Sequence, residues 1–436
     1  MKNLLKAVVF CLISSSMAFA NDRPNIIWVM GEDMGNELSC YGHPAVLTPN
    51  FDRLAAQGTR YTRAFCTAPS CTPSRNAMMI GVYQTRTDTQ DQRRRGIVLP
   101  DGMKPITYLL QQAGYYTALG CGYSNKTDLN FAAETLFDGN DWKGRNKQQP
   151  FFAQITLGSS HRLKDGWAEI HKTSKRPVDP AAVEIPPYFP DHPVVRADWA
   201  RYLEAIQYID GQMGEILQRL EDEGIADNTV VVFIGDNGQC HLRGKCWLYD
   251  AGIRVPLIIR WPSEVPERTV SDELVSMIDV SATILDIAGI ELPDYLDGHP
   301  ILGPRAQTRE HVFAARDLID EVMDHIRCVR TKRFKYIRNY TPENGYHECR
   351  YVQQNRPMYP ILKSLNEQGK LNEVQQLMWQ EQKPLEELYD LQEDPFEVRN
   401  LADSAQHQAV RNKLAGLLDD WISDTQDKGL TVYTTH

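Results

Sequence analysis

The sequence predicts an α/β protein: a large mixed or parallel sheet sandwiched by helices, followed by a smaller α+β domain containing an antiparallel sheet. Three observations predict it. Short apolar runs alternate with helix-length patterns through the first two-thirds of the chain. Several of those runs end in a charged or polar residue suited to chemistry. The last third switches to a two-residue alternation.

The elements follow in order. Residues 25–30 (NIIWVM) form a buried strand, and residues 48–58 (TPNFDRLAAQG) carry a helix with a Gly stop. A helix over 103–113 precedes a strand over 115–119. Residues 150–157 give another strand, and 198–220 a long amphipathic helix. The runs 229–234 (TVVVFI) and 255–261 (VPLIIRW) are two further buried strands. Residues 326–336 (IRCVRTKRFKY) then alternate as an antiparallel pair does. Residues 358–382 are expected to be helical, 387–391 a short strand, and 409–425 a closing helix. The domain boundary is expected between Arg316 and Glu321, which gives a catalytic domain over 21–320 and a smaller domain over 321–436.

The first 20 residues form a predicted signal peptide. Lys2 and Lys6 precede an apolar run, and Ala18-Phe19-Ala20 is a small-x-small cleavage site. The run is too short to span a bilayer, so the mature chain is expected to be exported, periplasmic or secreted, with no membrane span. The net charge of -10 argues against a nucleic-acid partner, and requires any polyanionic substrate to be held by a local basic cluster. The nine cysteines show no zinc-type pairs. Cys240 and Cys246 are close enough in sequence to form a disulfide.

In open α/β sheets, sites form at the carboxyl ends of strands. Glu32 and Asp33 follow the first strand, Asp236 and Asn237 follow TVVVFI, and Ser159, Ser160 and His161 follow FFAQITL. Three carboxylates and an amide oxygen form an all-oxygen donor set for a hard cation. One such residue after a strand is more often a helix cap or turn. Their joint occurrence is what points to a site.

The segment Cys71-Thr72-Pro73-Ser74-Arg75 resembles the signature of the formylglycine-dependent sulfatases. So do Arg23-Pro24-Asn25, the run from Thr48 to Leu54, Gly81, Asp236-Asn237-Gly238, and the run from Gly244 to Asp250. Near the end, Glu387-Leu388-Tyr389-Asp390-Leu391, Asp394-Pro395 and Asn400-Leu401 resemble the tail of the family. The resemblance therefore runs from about Arg23 to Leu401, and within the family it is to bacterial polysaccharide sulfatases. It implies an alkaline-phosphatase-like fold and a formylglycine made from Cys71 by a maturation enzyme. It also implies one Ca2+ per chain, held by Glu32, Asp33, Asp236 and Asn237 with the modified Cys71. The family usually has Asp at the position of Glu32, whose side chain reaches one methylene further and is expected to bind with shifted geometry.

The resemblance also implies a mechanism. One hydroxyl of the hydrated aldehyde attacks sulfur as the bond from sulfur to the substrate oxygen breaks; the remaining hydroxyl then loses its proton, the C–O bond to sulfate breaks, and the aldehyde returns. Lys126 and Lys245 stabilise the sulfate oxygens, Arg75 holds the diol, and His161 with Lys245 serves the leaving oxygen. Many relatives carry a His where this chain has Asp128, so either Asp128 is the base that returns the aldehyde or another group serves.

For the substrate, Gln92 and Arg93 in the run QDQRRR are expected contacts, with Arg162, His241, Arg243 and Arg316 as further candidates. Arginine suits sulfate because its planar fork donates two parallel hydrogen bonds. The expected activity is hydrolysis of sulfate esters on a sulfated polysaccharide or oligosaccharide, algal carrageenan types included. The alternatives are a phosphatase or phosphonate hydrolase of the same superfamily, or a non-catalytic binder of sulfated glycans with Cys71 unmodified.

Overall fold

The computed structural model describes residues 23–122, 126–133, 135–162, 166–262, 264–346, 353 and 356–433. The predicted signal peptide lies outside them. Two sheets organise the chain. The larger has seven strands in the order β3-β4-β1-β5-β6-β2-β7. These are β1 (Asn25–Gly31), β2 (Thr59–Phe65), β3 (Tyr116–Leu119), β4 (Phe151–Leu157), β5 (Thr229–Gly235), β6 (Arg254–Arg260) and β7 (Thr269–Ser276). Every residue of β1, β4 and β5 is buried, as expected of strands covered on both faces. Their runs of Ile, Val and Phe pack against helices on either side.

The sheet is mixed. β6 runs antiparallel to both of its neighbours, β5 and β2, while β2 pairs parallel with β7. Strands β2 and β7 escaped the sequence reading because they are edgeward and carry polar residues such as Arg60, Thr62, Asp272 and Glu273 among their apolar ones. Helix α1 (Pro49–Ala56) buries Phe51 and Leu54. Helix α2 (Cys71–Ile80) is buried along its whole length. The 30-residue helix from Pro193 to Asp222 lays a stripe including Leu203, Ile206, Ile209, Met213 and Ile216 on the core.

The smaller sheet has the order β11-β10-β9-β8, antiparallel throughout. It comprises β8 (His311–Ile319), β9 (Val322–Thr331), β10 (Phe334–Asn339) and β11 (Glu386–Asp390). It therefore begins at His311, before the boundary expected from sequence, because β8 forms a hairpin with β9. The expected helix over 358–382 is broken at Gly369, whose φ is 64°, into Met358–Glu367 and Glu373–Gln376. The closing helix Gln408–Asp424 presents Leu414, Leu418 and Trp421 to the small sheet, where the Trp421 ring stacks on Phe313 at 5.0 Å. Ala77 of α2 and Tyr83 belong to that same apolar cluster, so the smaller sheet packs directly on the helix that starts at Cys71. Cys240 is a free thiol, so it makes no disulfide with Cys246. Among the described residues no helix is long and apolar enough to cross a membrane.

Candidate active site

Adjacent parallel strands deliver the acidic residues together. β1 and β5 pair in register from Asn25↔Thr229 to Gly31↔Gly235, so Glu32-Asp33 and Asp236-Asn237 leave the sheet side by side. On the other flank β1 pairs with β4 up to Gly31↔Leu157, which places the 159–161 loop beside Glu32. The Ser160 hydroxyl donates to the Glu32 carbonyl and fixes that loop. Helix α2 opens at Cys71, so its positive end faces the carboxylates. Ser74 ties this first turn to the Asp236 carbonyl.

Cys71 Sγ lies 3.6 Å from Asp33 Oδ1, 3.8 Å from Glu32 Oε1 and 3.0 Å from Lys245 Nζ. Lys245 Nζ also donates to Asp33 Oδ1 at 2.6 Å. Asp236 accepts from the Asp33 backbone N–H and from Arg75 Nε, each at 2.9 Å. Arg75 Nη1 donates to Thr156 Oγ1 at 2.9 Å, and the Thr156 hydroxyl donates to the Lys126 carbonyl at 3.3 Å. Lys126 Nζ meets Glu32 Oε1 and lies 3.3 Å from Asp128 Oδ2. His161 Nε2 is 3.8 Å from Glu32 Oε1 and 3.9 Å from Asp33 Oδ2. The structure thus brings together all ten of the expected catalytic and metal residues, Asp128 included.

Burial dominates the electrostatics. It pushes the Cys71 thiol well above its ordinary pKa, with Asp236 adding to the effect. Burial also lowers the His161 pKa to about 4. For Lys126 burial acts against the charge, but Cys71 and Glu32 outweigh it and hold the pKa up. For Asp128 burial would raise the pKa, but Lys126 and Arg75 outweigh it and hold the carboxyl below its usual range.

The donor set fits a hard cation. A carboxylate oxygen from each of Asp33 and Asp236 and the Cys71 sulfur lie within 4.8 Å of one another, as do a Glu32 carboxylate oxygen, the Cys71 sulfur and a ring nitrogen of His161. Asn237 Nδ2 is tied to Asp33 Oδ1 at 3.0 Å, while its buried Oδ1 accepts no hydrogen bond. A buried carbonyl oxygen without a donor is costly, and a cation would satisfy it.

The expected substrate contacts are placed differently. Gln92 Oε1 accepts from the Asp320 backbone N–H at 2.9 Å, at the turn between β8 and β9. Arg93 pairs with Asp320 at 2.7 Å, with its side chain 61% exposed. Arg162 is ion-paired to Asp198 and stacks over the Trp167 ring at 3.8 Å. His241, Arg243 and Arg316 are each buried against protein groups. His241 stacks on Trp199 at 3.9 Å and hydrogen-bonds Gln239. Arg243 lies 3.6 Å over the Tyr249 ring and donates to the Glu397 carbonyl. Arg316 donates to the Cys246 carbonyl at 2.7 Å. Thr156 and Asp198 were missed as site residues, since a hydroxyl in a strand and a helix carboxylate carry no local signal.

A doubly flanked sheet with cations and oxygen donors gathered at the carboxyl ends of its strands is the arrangement in which open α/β enzymes hold their ligands. A family model described as Sulfatase matches residues 24–138 and 122–290. A second, described as N-sulphoglucosamine sulphohydrolase, C-terminal, matches 238–386. An ulvan-active sulfatase of Formosa agariphila is 34% identical over 455 residues, covering 93% of this chain and 76% of that protein. Human N-sulphoglucosamine sulphohydrolase is 25% identical over 477 residues, covering 96% of this chain and 93% of that protein. A solved structure of a protein in complex with D-glucosamine-2-N,6-O-disulfate has a TM-score of 0.68 at 18% identity, covering 93% of this chain and 99% of that one. The chain belongs to the sulfatase family and is a sulfuric ester hydrolase.

Proposed function

We propose that this sulfatase is exported and removes sulfate from a sulfated polysaccharide or its oligosaccharides, using a formylglycine at Cys71 and a calcium ion held by Glu32, Asp33, Asp236 and Asn237. The observation that carries the reading is the position of Cys71 Sγ, at the start of α2, between Asp33 at 3.6 Å and Lys245 at 3.0 Å. Ulvan is the first substrate to test, because the relative 34% identical to this chain is named for it. The apolar cluster of the smaller sheet includes Ala77 and so supports the nucleophile helix.

In the proposed reaction Cys71 Sγ marks where an oxygen of the hydrated aldehyde would sit. When bound, calcium would draw charge from the sulfate oxygens and favour the ionised nucleophile. Arg75, fixed by Asp236 and Thr156, keeps the residue-71 side chain oriented. Lys126 and Lys245 face the sulfate oxygens, with Lys245 also serving the leaving oxygen. His161 Nε2, beside Glu32 and Asp33, is placed with Lys245 to serve that oxygen, and burial favours its neutral form. Asp128, held ionised beside Lys126, is a weak base and acts by orienting that lysine.

Two measurements test this. Mass spectrometry of the tryptic peptide spanning Cys71 should show the mass decrease of thiol-to-aldehyde conversion. Cys71→Ala should fold normally yet release no sulfate from a panel headed by ulvan oligosaccharides. An unmodified thiol in fully active protein, or turnover by Cys71→Ala, refutes the mechanism.

A further inference from the structure

The loop carrying Lys245 adopts an unfavourable backbone. Arg243 and Cys246 both have left-handed φ values, 68° and 83°, without being glycine. Such conformations persist where the surroundings over-determine them. The residue after Lys245 is held at both of its backbone groups. The Cys246 N–H donates to the Pro69 carbonyl at 2.8 Å, two residues before Cys71. The Cys246 carbonyl accepts from Arg316 Nη1 at 2.7 Å.

Arg316 belongs to β8, the first strand of the smaller sheet, and is 2% exposed. Its guanidinium lies 4.1 Å over the ring of Trp247, the next residue along the loop. Its Nη2 is 3.4 Å from Asp324, which Lys383 and Thr341 hold in turn. One planar fork thus touches a carbonyl, a ring and a carboxylate at once. A lysine cannot reproduce that combination.

We infer that Arg316 is a positioning residue for Lys245: the smaller domain uses it to clamp the Cys246 peptide and so to aim the Lys245 ammonium at the leaving oxygen. This rests on the role proposed above for Lys245. Because Pro69 holds the N–H of the same residue, the clamp also sets the distance between Lys245 and residue 71. Misplacing a catalytic group by about 1 Å costs up to about a hundredfold in rate.

The test uses matured full-length enzyme and a series of aryl sulfates of graded phenol acidity. Arg316→Met should lower kcat by on the order of tenfold or more. It should also steepen the dependence of kcat on phenol pKa, as Lys245→Ala does, because poor leaving groups need Lys245 most. Arg316→Lys, which keeps the charge but loses the fork, should give an intermediate slope, and it replaces Arg316→Met if that variant does not fold. A uniform loss across the series in the Arg316 variants, with a steepened slope in Lys245→Ala, overturns the inference. An unchanged slope in Lys245→Ala overturns the proposed role of Lys245 instead.

Discussion

Arg93 and Lys245 are both cations paired with a carboxylate, yet burial separates what each contributes. Lys245 is 1% exposed and cannot exchange Asp33 for water. The Arg93 side chain is 61% exposed, and its partner Asp320 sits at a turn of the smaller sheet. The run QDQRRR reads as a basic cluster in an acidic chain, and nothing in the run shows how far its side chains are solvated. An exposed ion contributes about 0–1 kcal/mol. Arg93→Ala should therefore reduce kcat/KM on a sulfated polysaccharide by no more than about fivefold. The loss should shrink as salt is added. On a small aryl sulfate the variant should match wild type. A hundredfold loss on the polymer would place Arg93 inside a closed binding pocket.

At the scale of elements, the strand ends made the site readable. Asp33 and Asp236 each follow an uninterrupted apolar run, and register brings them together. The sequence cannot show that β6 enters the sheet reversed, because buried strands look alike in either direction. Nor does it mark Thr156, whose contact with Arg75 depends on where α2 lies against β4. The donor set from two strand ends makes a direct prediction. Removing divalent cations with a chelator should abolish sulfate release, and calcium should restore it. Calcium at a hundred times its Kd should also stabilise the fold by about 2.7 kcal/mol, seen as a rise in Tm. Full activity of exhaustively demetallated protein would refute a cation held by Asp33, Asp236 and Asn237.

The whole molecule is joined by buried ion pairs as well as apolar packing. Lys335 of β10 is fully buried between Asp250 Oδ1 at 2.6 Å and Glu397 Oε1 at 2.7 Å. Arg330 adds a contact to Asp250 at 3.2 Å. Lys335→Met would leave the buried Glu397 without its lysine and the partly buried Asp250 with Arg330 alone, a loss of about 3–5 kcal/mol. The variant should show a lower denaturant midpoint, and a midpoint within error of wild type would mean water reaches the cluster. This seam was invisible in sequence. Residues 326–336 announce a strand pair, but nothing in them says that Lys335 faces inward to Asp250. Nor does the sequence say which sheet β8 joins: it is apolar enough to pass for part of the larger one, and only its pairing with β9 assigns it to the smaller.

Cys71 is 2% exposed and opens a helix with all ten residues buried. Under the formylglycine proposal, an oxidising enzyme must grip this segment while the chain is still collapsing around it. The result is a race between two rates, run once per molecule. A molecule that folds first is stranded as an inert copy, so the specific activity of a preparation records its synthesis rather than an equilibrium. Folded protein with an intact thiol should stay inactive when incubated with the maturation enzyme. Unfolding, exposure to that enzyme and refolding should raise the active fraction. Conversion of the native protein at the speed of the unfolded chain would show that the segment opens without global unfolding.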